Sequence, residues 1–221
     1  MTNLYLVRHC QAISNEIRVY HGHKNCDVTA IGRRQLECLS ERFKDIKFDK
    51  IYTSPLLRAT RTADAVNKYH GQILNVDNDV IEINGGDHEG HPWDELDVTD
   101  PVQMHYWKHE PEFYAPKNGE KMTELWDRAF PAIKRIAMEN KDKTIVVTSH
   151  ACFIRSAIVR AKGLEITDLK KFGWSDNTSV SLLQFDDDFN CTVVFESDNS
   201  HLTDDIKNLA LKYHKNGKAD P

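Results

Sequence analysis

The chain has 221 residues, of which 40% are hydrophobic and 29% charged, and its formal net charge is −5 at pH 7. This length suits one sizeable globular domain rather than two, and because no apolar run approaches the roughly 20 residues of a membrane helix and no secretory signal opens the chain, we expect a cytoplasmic protein. The negative charge, without a continuous basic stripe, argues against nucleic-acid binding, and five scattered cysteines without a C-x-x-C pair favour free thiols.

The first part of the chain alternates predicted strands and helices. Strands are predicted over residues 4–8, 48–53 and 73–76, and helices over 29–43 and 55–69. Thr29 is the expected N-cap of the first helix. Ser54-Pro55 ends the second strand, and we expect Ser54 to cap the next helix with Pro55 at its first position. Arg58 would then lie in the first turn, where free N–H groups favour an anion.

Residues from about 84 to 121 lose strand alternation and gather prolines and aromatic residues. A loop this long inside a compact domain is usually functional, so we interpret the segment as a cap inserted over one face. Its aromatic side chains could pack the cap onto the core or form an apolar surface that contacts a bulky substrate.

After the insertion the alternation resumes. Helices are predicted over residues 121–140 and 152–162, strands over 143–149, 179–185 and 191–196, and an exposed helix from Thr203 onward. The strand at 143–149 is β-branched throughout and therefore expected to be buried on both faces. The last two strands would form a hairpin at the sheet edge. Together the elements predict an α/β three-layer sandwich over residues 1–221, with a mainly parallel central sheet, helices on both faces and the inserted cap.

Four basic or imidazole residues stand just beyond strand ends or in a first helical turn: Arg8, His9, Arg58 and His150. In a parallel α/β sheet such positions converge on one edge of the molecule. Guanidinium groups match phosphate oxygens, and an imidazole can add a donor or a nucleophilic nitrogen. The four residues therefore predict a site for a phosphate or sulfate group.

The order and spacing of several motifs resemble those of the histidine phosphatase superfamily, which includes cofactor-dependent phosphoglycerate mutases and many phosphatases. The resemblance covers roughly residues 3–197 and rests on Arg8-His9 with Asn15 following, residues 54–63, residues 82–90 and Ser149-His150-Ala151. It implies that His9 accepts the phosphoryl group and that Glu82 is the proton donor. Arg8, Arg58 and His150 would hold the non-bridging oxygens without a metal or other cofactor.

The same resemblance implies three substrate-binding positions, Asn15, His21 and the Gly22 backbone. Glu89 competes with Glu82 for the role of proton donor, although its position is associated more with structure. For Glu82 to protonate a leaving group it must hold a proton when substrate binds, which near several cations requires desolvation.

Two residues depart from the family pattern of Arg-His-Gly followed one residue later by threonine: the chain has Cys10 and Ala12. Cys10 could reshape the phosphate pocket, because glycine lets the backbone turn closely beneath the anion. A cysteine-dependent phosphatase is not favoured, because the arginine that its loop needs six residues after the cysteine is Glu16 here. The paired histidines at 21/23, 88/91 and 105/109 lack a recognised metal-binding spacing.

The sequence thus predicts a metal-independent phosphatase that hydrolyses a small phosphomonoester through a phosphohistidine on His9. The alternatives are phosphoryl transfer of the phosphoglycerate-mutase type and a non-catalytic protein that binds a phosphorylated ligand. Acidic residues of the cap favour the phosphatase because they would repel a second phosphate: Asp94, Glu95, Asp97, Asp100, Glu110 and Glu112. Substrate identity and oligomeric state stay open.

Overall fold

The structure is a computed structural model in which residues 1–207 are described. Six strands form one sheet in the order β3-β2-β4-β1-β5-β6. They are β1 (Thr2–Arg8), β2 (Lys50–Thr53), β3 (Leu74–Val76), β4 (Thr144–Ser149), β5 (Val180–Phe185) and β6 (Cys191–Asp198). The first four strands are mutually parallel, and β5 and β6 form the predicted antiparallel hairpin with β6 at the edge.

Helices lie on both faces of this sheet. They are α1 (Ile13–Glu16), α2 (Ala30–Phe43), α3 (Leu57–Asn67), α4 (Trp93–Thr99), α5 (Pro101–His109), α6 (Met122–Glu139) and α7 (Ala151–Ala161). In β4, Ile145 and Val147 join the core beneath α6 and α7, whereas Val146 joins the core beneath α2 and α3. Because neighbouring residues of a strand point to opposite faces, the apolar run in β4 serves both cores. The predicted three-layer α/β sandwich is confirmed.

Several element boundaries follow from local chemistry. Thr29 is the N-cap of α2, and its Oγ1 accepts the Gly32 N–H at 2.9 Å. Helix α7 is followed by Gly163, whose φ of 71° suits the left-handed conformation that often ends a helix. No helix within residues 1–207 is long and apolar enough to cross a membrane, and the helix expected from Thr203 onward falls mainly outside this range.

The predicted start of α3 is wrong. The helix begins at Leu57, with Leu56 as N-cap, rather than at Pro55 with Ser54 as cap. The Ser54 hydroxyl lies 3.4 Å from the Leu56 nitrogen but only 2.7 Å from Nε2 of His150. A long-range partner therefore takes the hydroxyl that the local pattern assigned to the helix, while Arg58 stays in the first turn as expected.

The segment at 84–121 contains two helices, α4 and α5, which were not predicted because of the segment's aromatic composition. Its aromatic rings pack on residues of the core: Trp107 lies 5.6 Å from the Tyr20 ring and 4.8 Å from the Tyr114 ring, and stacks on Trp174 at 5.6 Å. Tyr20 and Tyr114 are buried, at 2% and 0% exposure. The contacts with Tyr20 and Trp174 attach the segment to the loops that precede α2 and β5, whereas Tyr114 belongs to the segment itself.

Candidate active site

His9 follows β1 directly and is 2% exposed. Its backbone N–H donates to the Ser149 carbonyl at 2.9 Å, and Asn177 Nδ2 donates to the His9 carbonyl at 2.8 Å. The ring Nδ1 lies 2.7 Å from the Cys10 carbonyl oxygen. Since a carbonyl can only accept, Nδ1 carries the proton and Nε2 keeps its lone pair. This is the tautomer that a nucleophilic imidazole needs.

The positive charge around His9 comes from two buried guanidinium groups. Arg8 and Arg58 are 9% and 1% exposed. Arg8 Nη1 donates to the Ser175 carbonyl, and Arg58 donates to the carbonyls of Gly22 at 2.7 Å and Lys24 at 3.1 Å. Burial lowers the pKa of Arg58 to about 10, so it stays charged at neutral pH.

Buried donor groups of both arginines lack a partner. Within residues 1–207, Nε of Arg8 and Nε of Arg58 are buried without a hydrogen bond. Burying a charged donor in this way is costly unless a partner compensates it. A phosphate group could supply acceptors of the required charge.

Two more imidazoles complete the cluster. The ring centroids of His150 and His21 lie 5.2 and 6.1 Å from that of His9. Burial and nearby cations hold the pKa of His9 and of His150 well below the usual range and lower the pKa of His21 to about 3. All three rings are therefore neutral at physiological pH, and the positive charge resides on the arginines.

His21 lies beside His9, and the hydrogen bond of its ring determines which ligand groups it can contact. Its Nδ1 lies 3.1 Å from the Val19 carbonyl, so Nδ1 carries the proton and Nε2 is an acceptor. This Nε2 is buried and has no hydrogen-bond partner among the described residues. A neutral His21 can therefore accept from a hydroxyl or another donor of the substrate but cannot donate to a phosphate oxygen.

Glu82 lies against the start of α7. Its carboxylate accepts backbone N–H bonds from Ile83 at 3.0 Å and from Cys152 and Phe153 at 3.1 Å each. The residue is 7% exposed, and its charge is felt by the two arginines of the site, Arg8 and Arg58, whose pKa it raises against the effect of burial. The N-terminus of α7 thus holds a carboxylate in one orientation beside the basic cluster.

Glu89 has a different environment. Its carboxylate accepts the N–H groups of Gly22, His23 and Lys24 at 2.7 to 3.2 Å, and that of Gly85 at 2.9 Å. The carbonyls of this same loop accept from Arg58. Glu89 and Arg58 therefore both bind the backbone of the loop at residues 21–24, and these hydrogen bonds give Glu89 a structural role.

The residues next to His9 have structural partners too. Asn15 Oδ1 accepts the Ala12 N–H at 3.0 Å at the start of α1. The Cys10 N–H donates to Thr62 Oγ1 at 3.0 Å, and Cys10 Sγ lies 4.0 Å from the Arg58 carbonyl. Burial raises the pKa of the Cys10 thiol to about 11. Cys10 is therefore a packed, protonated thiol against α3.

Sequence reasoning missed two contributors, Asn177 and Ser54. Asn177 precedes β5, and because β5 runs antiparallel to β1 its first residues lie where β1 ends. The polar run Asp176-Asn177-Thr178 before an apolar strand was the signal, but its use requires knowing the strand direction. Within residues 1–207, no three His, Cys, Asp or Glu side chains are grouped so that they could hold a metal ion.

Comparisons with known proteins identify a matching family model and similar sequences and structures. The family model of the histidine phosphatase superfamily (branch 1) matches residues 4–198. Phosphoglycerate mutase-like protein 4 of Arabidopsis thaliana is 30% identical over 90% of this chain and 86% of its own length. The metal-independent phosphoserine phosphatase of the same plant is 27% identical over 85% and 78%. The solved structure of Bacillus stearothermophilus YhfR superposes with a TM-score of 0.87 at 28% identity, covering 91% of this chain and 99% of that one.

Proposed function

Because this chain belongs to the histidine phosphatase superfamily, we propose that it is a phosphatase that hydrolyses a small phosphomonoester through a phosphohistidine on His9. The observation that carries the proposal is the bond between His9 Nδ1 and the Cys10 carbonyl, which leaves the Nε2 lone pair free beside two buried guanidinium groups. A nucleophile and a charge clamp are the two parts that phosphoryl transfer requires.

In the first step, His9 Nε2 attacks phosphorus in line, and the bond between phosphorus and the ester oxygen breaks. Glu82, which must first take up a proton although three backbone N–H groups stabilise its charged form, gives that proton to the departing alkoxide. Arg8, Arg58 and His150 hold the three non-bridging oxygens, where charge develops in the transition state. Throughout this step the Cys10 carbonyl accepts the hydrogen bond from Nδ1–H of His9, and this bond stabilises the phosphorylated ring.

In the second step, water attacks the phosphohistidine, and the bond between nitrogen and phosphorus breaks with its electron pair returning to Nε2. The Glu82 carboxylate takes the proton that the water loses. Atoms and charges balance with phosphate and alcohol as the products. The arginines supply the positive charge, so we expect no metal requirement.

The substrate class we propose is a small phosphorylated metabolite. The plant relative's name gives phosphoserine as the substrate of that enzyme, and phosphoserine is the first compound to test here. We propose further that residues 1–221 are one domain and that the segment at 84–121 is a cap over the site, supported by the packing of its aromatic rings on Tyr20 and Trp174. A cytoplasmic location stays a prediction.

The test is hydrolysis of p-nitrophenyl phosphate with excess EDTA. We expect activity in the unsubstituted protein and a loss of at least about a thousandfold in His9→Ala, because the covalent route is removed. Rapid quenching with a ³²P-labelled substrate should yield a protein label that survives base, is lost in acid and is absent in His9→Ala. His109→Ala, an exposed histidine on α5, is the control. An unsubstituted protein no more active than His9→Ala would contradict the proposal.

A mutase is the second candidate, because a relative bears the name phosphoglycerate mutase-like and the same residues would serve. Mixing 3-phosphoglycerate with catalytic bisphosphoglycerate separates the two. We expect release of phosphate, and isomerisation faster than phosphate release would reverse the order of the two functions.

A further inference from the structure

The Ser54 hydroxyl lies at the end of β2 and contacts the ring of His150 from a distance of 96 residues along the chain. The separation between Ser54 Oγ and His150 Nε2 is 2.7 Å, and both residues are 0% exposed. The other contact of this oxygen, from the Leu56 N–H, is long at 3.4 Å. The imidazole is therefore the main partner of a serine whose sequence position suggested helix capping.

Only one placement of the protons in this pair gives the Ser54 hydroxyl proton an acceptor. Ser54 has a single hydroxyl proton, and the Leu56 N–H already donates to its oxygen, so that contact cannot use the proton. Within the described chain, Nε2 of His150 is the acceptor that the hydroxyl reaches. A neutral ring that accepts at Nε2 carries its own proton on Nδ1. The opposite arrangement would leave a buried hydroxyl proton without an acceptor, which is costly.

His150 then differs from the other two imidazoles of the cluster. His9 and His21 each donate from Nδ1 to a backbone carbonyl, and each keeps a lone pair on Nε2. Nδ1 of His150 is buried and has no hydrogen-bond partner among residues 1–207. His150 is thus the neutral imidazole of the three that offers an N–H to a ligand.

We propose that Ser54 is a positioning residue that holds His150 in the Nδ1–H tautomer, so that this N–H donates to a non-bridging oxygen of the transferring phosphoryl group. The other tautomer would turn a lone pair toward that oxygen and repel it. The role of the N–H in catalysis rests on the proposed phosphatase function, whereas the tautomer itself does not.

The first experiment measures the tautomer directly. Long-range ¹H–¹⁵N correlation spectra of the full chain labelled with ¹⁵N-histidine distinguish a protonated Nδ1 from a protonated Nε2, and the His150 signals are assigned by their absence in His150→Gln. We expect Nδ1–H in the unsubstituted protein and in Ser54→Thr, which keeps the hydroxyl. In Ser54→Ala we expect an Nε2–H signal to appear.

The matched control is Ser149→Ala. Ser149 is also 0% exposed, and its hydroxyl donates to the Val80 carbonyl at 2.7 Å. Its removal deletes a buried hydrogen bond beside the site without touching the His150 ring, so the tautomer should stay as in the unsubstituted protein.

The second experiment measures hydrolysis in the same variants. Ser54→Ala should lower kcat by about ten- to a hundredfold with little change in KM, because an oriented donor acts mainly in the transition state. Ser54→Thr should recover most of the loss. A purely structural role for Ser54 would lower the amount of folded protein but leave the tautomer unchanged.

The outcomes separate the two proposals. A proton on Nε2 in the unsubstituted protein, or an unchanged Nδ1–H in Ser54→Ala, would overturn the role of Ser54 whatever the activity. If the tautomer responds as expected but no phosphomonoester is hydrolysed, the positioning role stands and the phosphatase function fails. If Ser54→Ala does not fold, an Nε2–H signal from His150 in the unsubstituted protein or in Ser54→Thr would still overturn the role of Ser54.

Discussion

At the scale of the single residue, the candidate site depends on where each imidazole keeps its proton. The Cys10 and Val19 carbonyls fix Nδ1–H on His9 and His21. Burial, and after it the cations next to these rings, lower their pKa and keep them neutral, while the guanidinium groups carry the charge. The division is chemically useful, because the nucleophile must be neutral while the phosphoryl oxygens need fixed positive charge.

Cys10 is one of the two residues, with Ala12, at which this chain departs from the family pattern. Because burial keeps its thiol protonated, with the pKa raised to about 11, we expect no chemical role for it. Cys10→Ala should retain kcat/KM within about threefold, while the lost sulfur contact should cost about 1 kcal/mol in the free energy of unfolding. Steady-state kinetics with p-nitrophenyl phosphate and urea unfolding measure the two effects.

Alkylation gives an independent check on Cys10. Treatment of the folded protein with iodoacetamide should modify half-buried cysteines such as Cys26 before Cys10, since Cys10 is 0% exposed. Loss of most activity in Cys10→Ala, with an unchanged fold, would show instead that the thiol takes part in the reaction.

At the scale of the element, the loop at residues 21–24 contacts both Arg58 and the two glutamates near the site, Glu82 and Glu89. Its N–H groups donate to Glu89 and its carbonyls accept from Arg58. His23 Nε2 also lies 2.9 Å from the Glu82 carbonyl oxygen. The loop thus binds the guanidinium group of Arg58 and contacts the backbone of Glu82, the proposed proton donor, so its shape should matter for phosphate binding.

Gly22 is the tightest point of this loop. A Cβ at this position would lie 2.0 Å from the Ile83 carbonyl oxygen and 2.5 Å from Glu89 Oε1. We expect Gly22→Ala to displace the loop, to weaken inhibition by orthovanadate at least about tenfold and to lower the free energy of unfolding by about 2 kcal/mol. Inhibition constants and urea midpoints measure these changes.

Gly173 provides the control for Gly22. It lies in another loop near the site, and a Cβ there would meet no atom within 4 Å. Gly173→Ala should therefore leave vanadate inhibition and stability nearly unchanged. Equal behaviour of the two alanine variants would refute the steric role of Gly22.

The elements that could be predicted from sequence were those decided by neighbours in the chain. Thr29 caps α2 through Gly32, three residues away, and the β-branched run of β4 is buried because it occupies the sheet centre. Ser54 was assigned to the wrong partner because His150 is distant in sequence. Asn177 was missed since its place beside His9 depends on the antiparallel direction of β5.

The same distinction between local and long-range determinants applies to the residues of the candidate site. The strand-end positions and the resemblance indicated Arg8, His9, Arg58 and His150, and the parallel pairing of both β1 and β2 with β4 brings the ends of these three strands to one edge of the sheet. Neither could give the tautomers, because these depend on single carbonyl and hydroxyl groups in the folded chain. The roles of these residues in turnover stay predictions until they are measured.

At the scale of the whole molecule, four buried or half-buried histidines have proton affinities that differ from those in the unfolded chain. The pKa values of His9 and His150 lie well below the usual value of 6.5, that of His21 is lowered to about 3, and that of His201 near Arg42 to about 4. In each case desolvation is the largest cause. Folding therefore requires these rings to stay neutral.

This requirement predicts a loss of stability in mild acid. Below pH 6.5 the unfolded chain binds protons that the folded chain excludes, so each such histidine lowers the free energy of unfolding by up to about 1.4 kcal/mol per pH unit. The loss begins near pH 6.5 and continues down to each folded pKa. Urea unfolding between pH 7 and 4.5 measures it, above the range in which most carboxylates titrate.

His21→Gln and His201→Gln test whether the slope arises from these rings, since each should remove one histidine's contribution. Inorganic phosphate distinguishes the contribution of His21 from that of His201. A bound dianion beside Arg58 and His150 favours protonation of the rings around it, so phosphate should flatten the slope. His21→Gln should reduce this effect of phosphate, and His201→Gln should leave it intact because His201 lies beside Arg42 rather than the cluster. A free energy of unfolding that does not change between pH 6.5 and 5 would show that the four rings are not held neutral by the fold.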